Sequence, residues 1–440
     1  MSPRAERRLV KNPGQLRELS AQIANKSLTS VDLVQRCLER IAEVDGEVQA
    51  WIKVDGERAL REAHRCDREA EQGHWRGPLH GIPVGVKDVI DVAGLPTLCG
   101  SKSRVGRPSP SADAEIVSAI KAAGGIVLGK LHTTEFAFFD APPTRNPHNL
   151  THTPGGSSSG SGAGVASGTV PLALGTQTFG SVNRPAAYCG IAAFKPSTRS
   201  LSTFGVNPLA PYTDTVGFFG WSVDDAVSFY EIIRPAHIGR DASALAQAEV
   251  IFVEDPLLDD ASPEAVAACK TMHESFAGAC KIGSRRSPVP MTRVVDLLKS
   301  VMTYELAHIY GDLANLPAGM VGQKFLEAVH EGKTISDERY RSERNEMDRL
   351  RAAFFQAFDG NTLFLWPAAP GPAPEGIVWT GDPRYIAAWT ALGGPIVTIP
   401  AGMSASGLPL ACILAGPPGS DLAMCRLARQ LTSGERRACS

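Results

Sequence analysis

Apolar residues recur with helical spacing near the start of the chain. Four of them lie on one predicted helix face: Val31, Val34, Leu38 and Ile41. Ser30 precedes them and is predicted to be the N-cap residue. A second, charged helix is predicted from about Glu57 to Gln72, with Gly73 as its stop. We therefore expect residues 1–76 to form an N-terminal helical collar around a later core.

From Gly77 onward, short apolar runs alternate with glycine, proline and serine. Buried strands are predicted at Ile82 to Val86 and at Ile126 to Leu128. Between them, Ala114 to Ala123 is predicted to be a helix that Gly124 ends. Strands that alternate with helices are typical of α/β proteins.

The C-terminal half begins with a mainly helical stretch at about 256–360, whose first helix starts at Ser262-Pro263. Three further strands are then predicted: Leu363 to Trp366, Ile396 to Ile399 and Leu410 to Leu414. The pattern favours a single large α/β domain at 77–440, with helices on both sides of a mixed β-sheet. The helical stretch would be an insertion in that domain.

Composition and charge exclude several classes of protein. The 440 residues are 43% hydrophobic and 20% charged, which is typical of a globular protein. The net charge of −2 comes without a basic stripe, because acidic residues interrupt the basic stretch at 339–351. We expect no binding of nucleic acid. We also expect no membrane span, since no uncharged apolar run is long enough.

The cysteines indicate a reducing compartment. Nine cysteines are an odd number, their spacing is irregular, and no C-x-x-C occurs. This pattern argues against a disulfide framework and against a zinc site. The basic N-terminus lacks the apolar region of a secretory signal. We therefore expect a cytoplasmic protein with reduced thiols and no metal.

Glycine and serine crowd the tract from Pro154 to Gly190. A phosphate-binding loop is disfavoured, because no Gly-Lys-Ser/Thr follows and Val165 replaces the third glycine of the dinucleotide fingerprint. A flexible linker would not continue into the mainly apolar residues 170–174. Two interpretations stay open, a structural turn and a catalytic loop with serine nucleophiles and free backbone N–H groups.

A serine nucleophile needs a base, and the sequence offers two kinds. His132, His148 and His152 lie near the tract, although no G-x-S-x-G elbow stands between a strand and a helix. Lys87 lies at the end of a predicted buried strand, where desolvation favours the neutral amine. On this feature alone, a surface residue is the favoured interpretation of a single lysine at a strand end. The residues alone therefore leave the base open.

Three segments, in this order along the chain, carry a resemblance to a known family. They are GIPVGVKD at 81–88, PGGSSSGS at 154–161 and LGTQTFGSVNRPAAYCGIAAFKPS at 174–197. They resemble the lysine strand, the glycine-serine loop and the nucleophile loop of the amidase signature family, with its malonamidase-like branch nearest. The similarity is good over about 78–220 and weaker in the C-terminal strands.

The resemblance implies a Ser–Ser–Lys triad that needs no metal and no cofactor. Lys87 matches the general base, Ser157 the bridging serine and Ser181 the nucleophile, 24 residues further on. A cis peptide bond is implied between Gly156 and Ser157. The implied oxyanion hole consists of the backbone N–H groups of four residues: Thr178, Phe179, Gly180 and Ser181.

In the implied reaction, the neutral lysine takes a proton from the nucleophile through the bridging serine, and the nucleophile attacks the acyl carbon. Backbone N–H groups stabilise the oxyanion, and the proton returns to the leaving nitrogen. Water then hydrolyses the acyl-enzyme. We therefore expect a serine amidase, an amidohydrolase that cleaves a C–N bond of a small linear amide.

The nucleophile loop departs from the D-T-G-G-S-I-R pattern of many members. Gln177 replaces the aspartate, and Phe179 replaces a glycine, which favours an apolar or aryl substrate. Arg184 lies three residues after the nucleophile, where the malonamidase-like branch binds a substrate carboxylate. Arg184 either does this or pairs with a neighbouring acid. Phe138 is a second substrate-binding candidate, with core packing as its alternative.

Other functions remain beside the amidase. A carbamate (urethane) or aryl-ester hydrolase would use the same triad. The A subunit of a transamidating complex is less favoured, since the loop at 177–181 differs from its usual D-T-G-G-S, and a non-catalytic binding relative is the last alternative. We expect the partner to be a small-molecule amide or carbamate, and the protein to be a monomer or homodimer.

Overall fold

The computed structural model describes residues 9–235 and 248–433. The predictions that involve residues 1–8 and Cys439 lie outside these ranges. The described helices are α1 Leu16–Ala24, α2 Ser30–Val48, α3 Gly56–Glu71, α4 Glu115–Ala122, α5 Ser159–Ala166, α6 Asn183–Tyr188, α7 Val223–Ile233, α8 Pro263–Ser275, α9 Met291–Tyr310, α10 Gln323–Lys333, α11 Asp337–Gln356, α12 Arg384–Leu392 and α13 Asp421–Thr432.

Eleven strands form one mixed sheet. They are β1 Trp51–Val54, β2 Pro83–Lys87, β3 Ile126–Leu131, β4 Leu172–Gln177, β5 Ala192–Lys195, β6 Thr215–Gly220, β7 Glu249–Glu254, β8 Lys281–Arg286, β9 Thr362–Pro367, β10 Ile396–Met403 and β11 Pro409–Ala415. Their order across the sheet is β1-β3-β2-β4-β6-β5-β10-β11-β9-β7-β8. Strand β2 runs parallel to both β3 and β4, whereas β4 runs antiparallel to β6.

The sheet lies between helices, so the prediction of a single large α/β fold is confirmed. Strands β2 to β6 are buried along their whole length, which is the pattern of strands covered on both faces. Helix α7 packs on β5 and β6, and α5 packs on β4. All five strands predicted from apolar runs are present in the sheet, with ends that differ by a few residues.

One predicted cap is wrong. Thr29, not Ser30, is the N-cap of α2, because Thr29 has extended backbone angles and its Oγ1 accepts the N–H of Asp32 at 2.9 Å. Ser30 is the first helical residue, and its N–H donates to Asp67 Oδ1 at 2.7 Å. Two successive residues with capping hydroxyls look alike in a sequence, and only the backbone angles separate them.

The division into a collar at 1–76 and a core at 77–440 stays a prediction. Strand β1 lies within the first range and pairs antiparallel with β3 at the edge of the sheet. The stretch at 256–360 contains α8 to α11, and it also contributes β8, which pairs parallel with β7 at the opposite edge.

The described cysteines and helices fit this layered core. Eight cysteines lie in the described ranges, and all eight are free thiols. None of the described helices combines the length and the apolar character that a membrane span requires.

Candidate active site

Strand β2 carries Lys87 at its carboxyl end, between β3 and β4. The side chain is fully buried. Its Nζ donates to Ser157 Oγ at 2.7 Å, to Thr176 Oγ1 at 2.8 Å and to the Thr176 carbonyl at 3.3 Å. The structure therefore brings Lys87 and Ser157 together. Thr176, on β4, is a contact that sequence reasoning missed, because only strand pairing places it opposite β2.

The environment of Lys87 favours the neutral amine. Burial lowers the pKa of Lys87 to about 7, and the negative charge of Asp214 partly opposes this shift. Lys130 is equally buried, but it has the Asp88 carboxylate at 2.9 Å. Among the described residues Lys87 has no such ion pair. At neutral pH a large fraction of Lys87 can therefore accept a proton.

The glycine-serine loop approaches other backbone very closely. The Gly156–Ser157 peptide bond is cis. Helix α5 begins two residues later, and a Cβ at Gly160 would lie 2.3 Å from the carbonyl oxygen of Ala50. The Ser159 hydroxyl donates to the Gly155 carbonyl at 2.7 Å, which ties the loop to the first turn of α5. The glycines are thus explained by close packing.

The nucleophile loop follows β4 and lies against the glycine-serine loop. The N–H of Ser158 donates to the Ser181 carbonyl at 3.3 Å, so Ser157 and Ser181 belong to adjoining segments. Ser181 is 7% exposed. No described residue accepts a hydrogen bond from the backbone N–H groups of residues 179–181. Three consecutive free donors beside a serine hydroxyl are an arrangement that could stabilise an oxyanion.

Gln177 supports the turn that follows those N–H groups. Its Oε1 accepts the N–H groups of Val182 and Asn183 at 2.7 and 3.0 Å. Its Nε2 donates to Asn183 Oδ1 and Thr390 Oγ1, both at 2.9 Å. Gln177 thus serves the loop both as an acceptor and as a donor. The loop also gains support from Thr390 Oγ1, which donates to the Phe179 carbonyl at 2.7 Å.

A half-buried carboxylate, that of Asp214, lies behind the loop. The Thr178 hydroxyl donates to Asp214 Oδ1 in a short hydrogen bond, and Asp214 Oδ2 accepts the N–H groups of Leu209 and Ala210 at 2.8 and 3.1 Å. Burial raises the pKa of Asp214, and these hydrogen bonds oppose the shift. No motif in the sequence indicates Asp214, because its partners lie on other segments.

Arg184 is buried beneath the glycine-serine loop. Its Nη2 donates to the Gly156 carbonyl at 2.7 Å and to Thr380 Oγ1 at 3.0 Å. Its Nε and Nη1 have no hydrogen-bond partner among the described residues. Burial lowers the pKa of Arg184 to about 10, while Tyr188 and Asp382 oppose the shift. Binding of a substrate by Arg184 stays a prediction.

Phe138 is half-buried and packs on other aromatic rings. Its ring centroid lies 4.6 Å from that of Phe139 and 5.9 Å from that of Phe325. Both the core-packing interpretation and the pocket-wall interpretation are compatible with these contacts. Its role in substrate binding stays a prediction.

The nearby histidines do not join the serines. His148 Nε2 contacts the Cys189 carbonyl at 3.0 Å, and His152 Nδ1 contacts Thr151 Oγ1 at 3.0 Å. Burial lowers the pKa of His132 to about 4. None of the three forms a side-chain hydrogen bond with Ser157 or Ser181 within the described ranges. The geometry favours lysine over histidine as the base.

One group of described residues has the composition of a metal site. Ligand atoms of Cys66, Glu69 and His80 lie within 4.8 Å of one another. However, the Arg76 guanidinium pairs with Glu69, and His80 Nε2 contacts the Cys66 carbonyl at 2.9 Å. The Arg76 guanidinium already neutralises the Glu69 carboxylate, and this disfavours the binding of a metal cation there.

Comparison with known proteins identifies the family. The family model described as Amidase matches residues 32–274, more than half of the chain. The chain belongs to the amidase family. The assignment to its malonamidase-like branch has no specific support and stays a prediction.

Two relatives match along nearly the whole chain. Both are A subunits of a glutamyl-tRNA(Gln) amidotransferase. The one from Anaeromyxobacter sp. (strain K) is 30% identical, with 94% of this chain and 95% of the relative covered. The one from Chlamydia pneumoniae is 29% identical, with 93% of each covered.

Solved structures show the same fold. The native peptide amidase from Stenotrophomonas maltophilia superposes with a TM-score of 0.81 at 26% identity, covering 96% of this chain and 97% of that one. A second solved structure is that of a vestigial protein complex, described as revealing the evolutionary origins of an s-triazine catabolic enzyme. It gives a TM-score of 0.86 at 25% identity. It covers 95% of this chain and 98% of that one.

The relatives correct two predictions. The sequence favours a small-amide amidohydrolase over the A subunit of a transamidating complex, and the names of the curated relatives overturn that order. The sequence also predicts a small-molecule partner, no nucleic acid, and a monomer or homodimer. Those relatives are instead named as subunits of an enzyme that acts on a charged tRNA. The difference between the loop at 177–181 and the D-T-G-G-S pattern is therefore not enough to disfavour such a subunit.

Proposed function

We propose that the chain is the amide-cleaving subunit of an amidotransferase, with Ser181 as its nucleophile. The hydrogen bond of 2.7 Å between Lys87 Nζ and Ser157 Oγ, next to the Ser181 loop, is the observation that carries the proposal. The names of the relatives support the subunit role, and membership of the amidase family supports cleavage of a C–N bond.

In the proposed reaction, neutral Lys87 accepts the Ser157 proton while Ser157 takes the proton of Ser181. The Ser181 Oγ forms a bond to the carbonyl carbon of a primary amide, and the carbonyl oxygen becomes an oxyanion. The free N–H groups of residues 179–181 stabilise this oxyanion, because they are fixed before the charge develops.

Collapse of the tetrahedral intermediate breaks the C–N bond. The nitrogen takes its proton back through Ser157, and ammonia leaves while the acyl group stays on Ser181. Water then releases the acid and restores the serine. In an amidotransferase the ammonia is the useful product, and a partner subunit must bring it to an acceptor. The burial of Ser181 favours such a shielded transfer.

Two measurements test the proposal. The first is intact-mass analysis after reaction with a serine-directed sulfonyl fluoride, on the wild type, Ser181→Ala and Ser161→Ala. Ser161 lies in the same tract, but its hydroxyl is buried and donates to the Leu174 carbonyl at 2.8 Å. We expect one adduct at Ser181 that is lost only in Ser181→Ala. An adduct that persists in this variant would refute the nucleophile.

The second measurement concerns the subunit role. The tagged chain is purified from its native cells, and ammonia release from primary amides is measured for the chain alone and for the complex. We expect a particle heavier than 46.7 kDa, in which the partner raises the rate of Ser181-dependent ammonia release. A chain that is fully active alone, with a rate that no co-purified protein changes, would overturn the subunit role.

A further inference from the structure

Two arginines outside the proposed triad lie between two cavities. Arg104 and Arg107 both line a cavity of about 260 Å³, and both also line a neighbouring cavity of about 200 Å³. Arg104 is half-buried and ends the short 3-10 helix Lys102–Arg104, whereas Arg107 is exposed. Both arginines therefore border space that is large enough for a small organic molecule.

These guanidinium groups are not neutralised by the described part of the protein. Arg104 Nε donates to the Thr97 carbonyl at 3.0 Å, and this is a neutral acceptor. Within residues 9–235 and 248–433, neither arginine forms an ion pair. Asp91 lines only the larger cavity and Asp312 only the smaller, so each cavity has two positive groups and one negative group. An anion would therefore be favoured in both.

The smaller cavity adds an apolar wall. Phe136, Ile309, Tyr310 and Leu313 line it, and the ring centroids of Phe136 and Tyr310 are 4.8 Å apart. Aromatic and aliphatic side chains beside two guanidinium groups suit an organic anion with an apolar body better than an inorganic ion.

One aromatic wall is linked to the glycine-serine loop. The N–H of Phe136 donates to the Cys99 carbonyl at 2.8 Å. Two residues earlier, the N–H of Thr134 donates to the Ser157 carbonyl at 3.1 Å. This wall therefore belongs to a short segment that is hydrogen-bonded directly to the proposed bridging serine.

The opposite wall is linked to the nucleophile loop. The Tyr310 hydroxyl donates to the Pro208 carbonyl at 2.6 Å. The next residue, Leu209, donates its N–H to Asp214, and Asp214 accepts the Thr178 hydroxyl. The smaller cavity therefore lies between segments that hold the two halves of the proposed site.

We infer that Arg104 and Arg107 form an anion-binding cleft beside the segments that hold the proposed site, and that this cleft takes the carboxylate of the amide donor. This inference rests on the proposed function. The donor would be a primary amide with an apolar spacer and a carboxylate at the opposite end. The spacer packs on Phe136 and Tyr310 while the carboxylate meets the guanidinium groups. Arg184 is separate from this cleft, since it lines neither cavity.

The test compares ω-monoamides of dicarboxylic acids of four to eight carbons with their methyl esters. Ammonia release is measured for the wild type, Arg104→Gln, Arg107→Gln and Arg107→Glu, with Lys102→Gln as the matched control. Lys102 is an exposed cation on the same 3-10 helix and lines neither cavity.

For the spacer that reaches Ser181, we expect the wild type to prefer the acid to the ester. Each glutamine variant should reduce that preference about tenfold through KM, because a charged hydrogen bond is lost. Arg107→Glu should prefer the ester, and Lys102→Gln should behave as the wild type. Equal use of acids and esters by the wild type, or an equal loss in Lys102→Gln, would overturn the cleft.

A binding measurement separates the cleft from the proposed function. Calorimetric titration of Ser181→Ala with glutarate should show binding that Arg107→Gln weakens. If no amide yields ammonia but this binding is present, the proposed function is wrong and the cleft stands. If amides yield ammonia but glutarate binding does not depend on the arginines, the cleft is wrong and the proposed function stands.

Discussion

Lys87 and Lys195 provide a natural comparison between two buried lysines. Both are fully buried, and burial lowers the pKa of each to about 7. Among the described residues, Lys195 donates only to the Pro196 carbonyl at 2.8 Å, whereas Lys87 donates to Ser157. A shifted pKa is therefore not enough to make a base, and the neighbouring hydroxyl makes the difference.

Replacement of Lys87 by methionine should slow sulfonyl fluoride labelling of Ser181 by at least about 100-fold, since general-base catalysis contributes that much or more. Lys195→Met should leave the labelling rate unchanged. The rate is measured by intact mass against time, with circular dichroism to verify folding. Equal rates in the two variants would contradict the role of Lys87 as base.

Asp214 should set the pH at which Lys87 becomes active. Labelling requires the neutral amine, so the rate should rise with pH through about 7. In Asp214→Asn a negative charge that favours the ammonium form is lost. The pKa of Lys87 should fall further, and the rise should move to lower pH.

The control for this shift is Asp421→Asn. Asp421 is buried, its Oδ2 accepts the Ser197 hydroxyl at 2.6 Å, and its charge acts on Lys195 instead of Lys87. This variant should leave the pH profile of labelling unchanged. A profile of Asp214→Asn that matches the wild type would show that the carboxylate has a structural role alone.

The sequence predicted Lys87 and Ser157 as neighbours, because each lies in a local motif of the family. Thr176, Asp214 and Thr390 were not predicted. Each contacts the site through residues that are far away in sequence, such as the 213 positions between Gln177 and Thr390. No local pattern encodes such a contact, and only the folded sheet produces it.

At the scale of elements, the glycines of helix α5 differ from a glycine in an exposed helix. Gly160→Ala should destabilise the protein by about 1–3 kcal/mol or more, because its Cβ would overlap the Ala50 and His132 backbones at 2.3 and 2.5 Å. Gly46, in α2, has open space around its Cβ position. Gly46→Ala should therefore stabilise the protein by about 0.5–1 kcal/mol.

Urea unfolding of the two variants measures both changes. An unfolding free energy of Gly160→Ala equal to that of the wild type would mean that α5 can move away from β1 and β3 at little cost. Close packing would then not explain the glycines of this tract.

Elements were predicted well where apolar runs stood between clear turn signals, as for β2, β3 and β9 to β11. Helix α5 was not predicted, since its glycines and serines are poor helix formers and resemble a loop. Its helix is supported by tertiary packing on β4, which a local pattern does not show.

At the scale of the whole molecule, the sheet joins the middle of the chain to its last third. Strand β5 pairs with β10, which places the last third of the chain beside the nucleophile loop. Asn183 Nδ2 donates to Thr398 Oγ1 at 3.0 Å, and Gln177 Nε2 donates to Thr390. The loop that carries Ser181 is thus held by residues more than 200 positions later.

A chain that ends at residue 380 should therefore lack a reactive serine, although it contains Lys87, Ser157 and Ser181. We expect no sulfonyl fluoride adduct on this truncated chain, and an adduct on the full chain under the same conditions. Labelling of the truncated chain at the full rate would show that the site forms without the C-terminal strands.

The same contacts determine when the site can form during synthesis of the chain. All three proposed catalytic residues have been added once the ribosome reaches Ser181, yet Thr390 and Thr398 are still to come. At bacterial to eukaryotic elongation rates this interval lasts roughly 10–40 s. A nascent chain would therefore remain inert until residue 398 has been added, and it would not cleave amides before then.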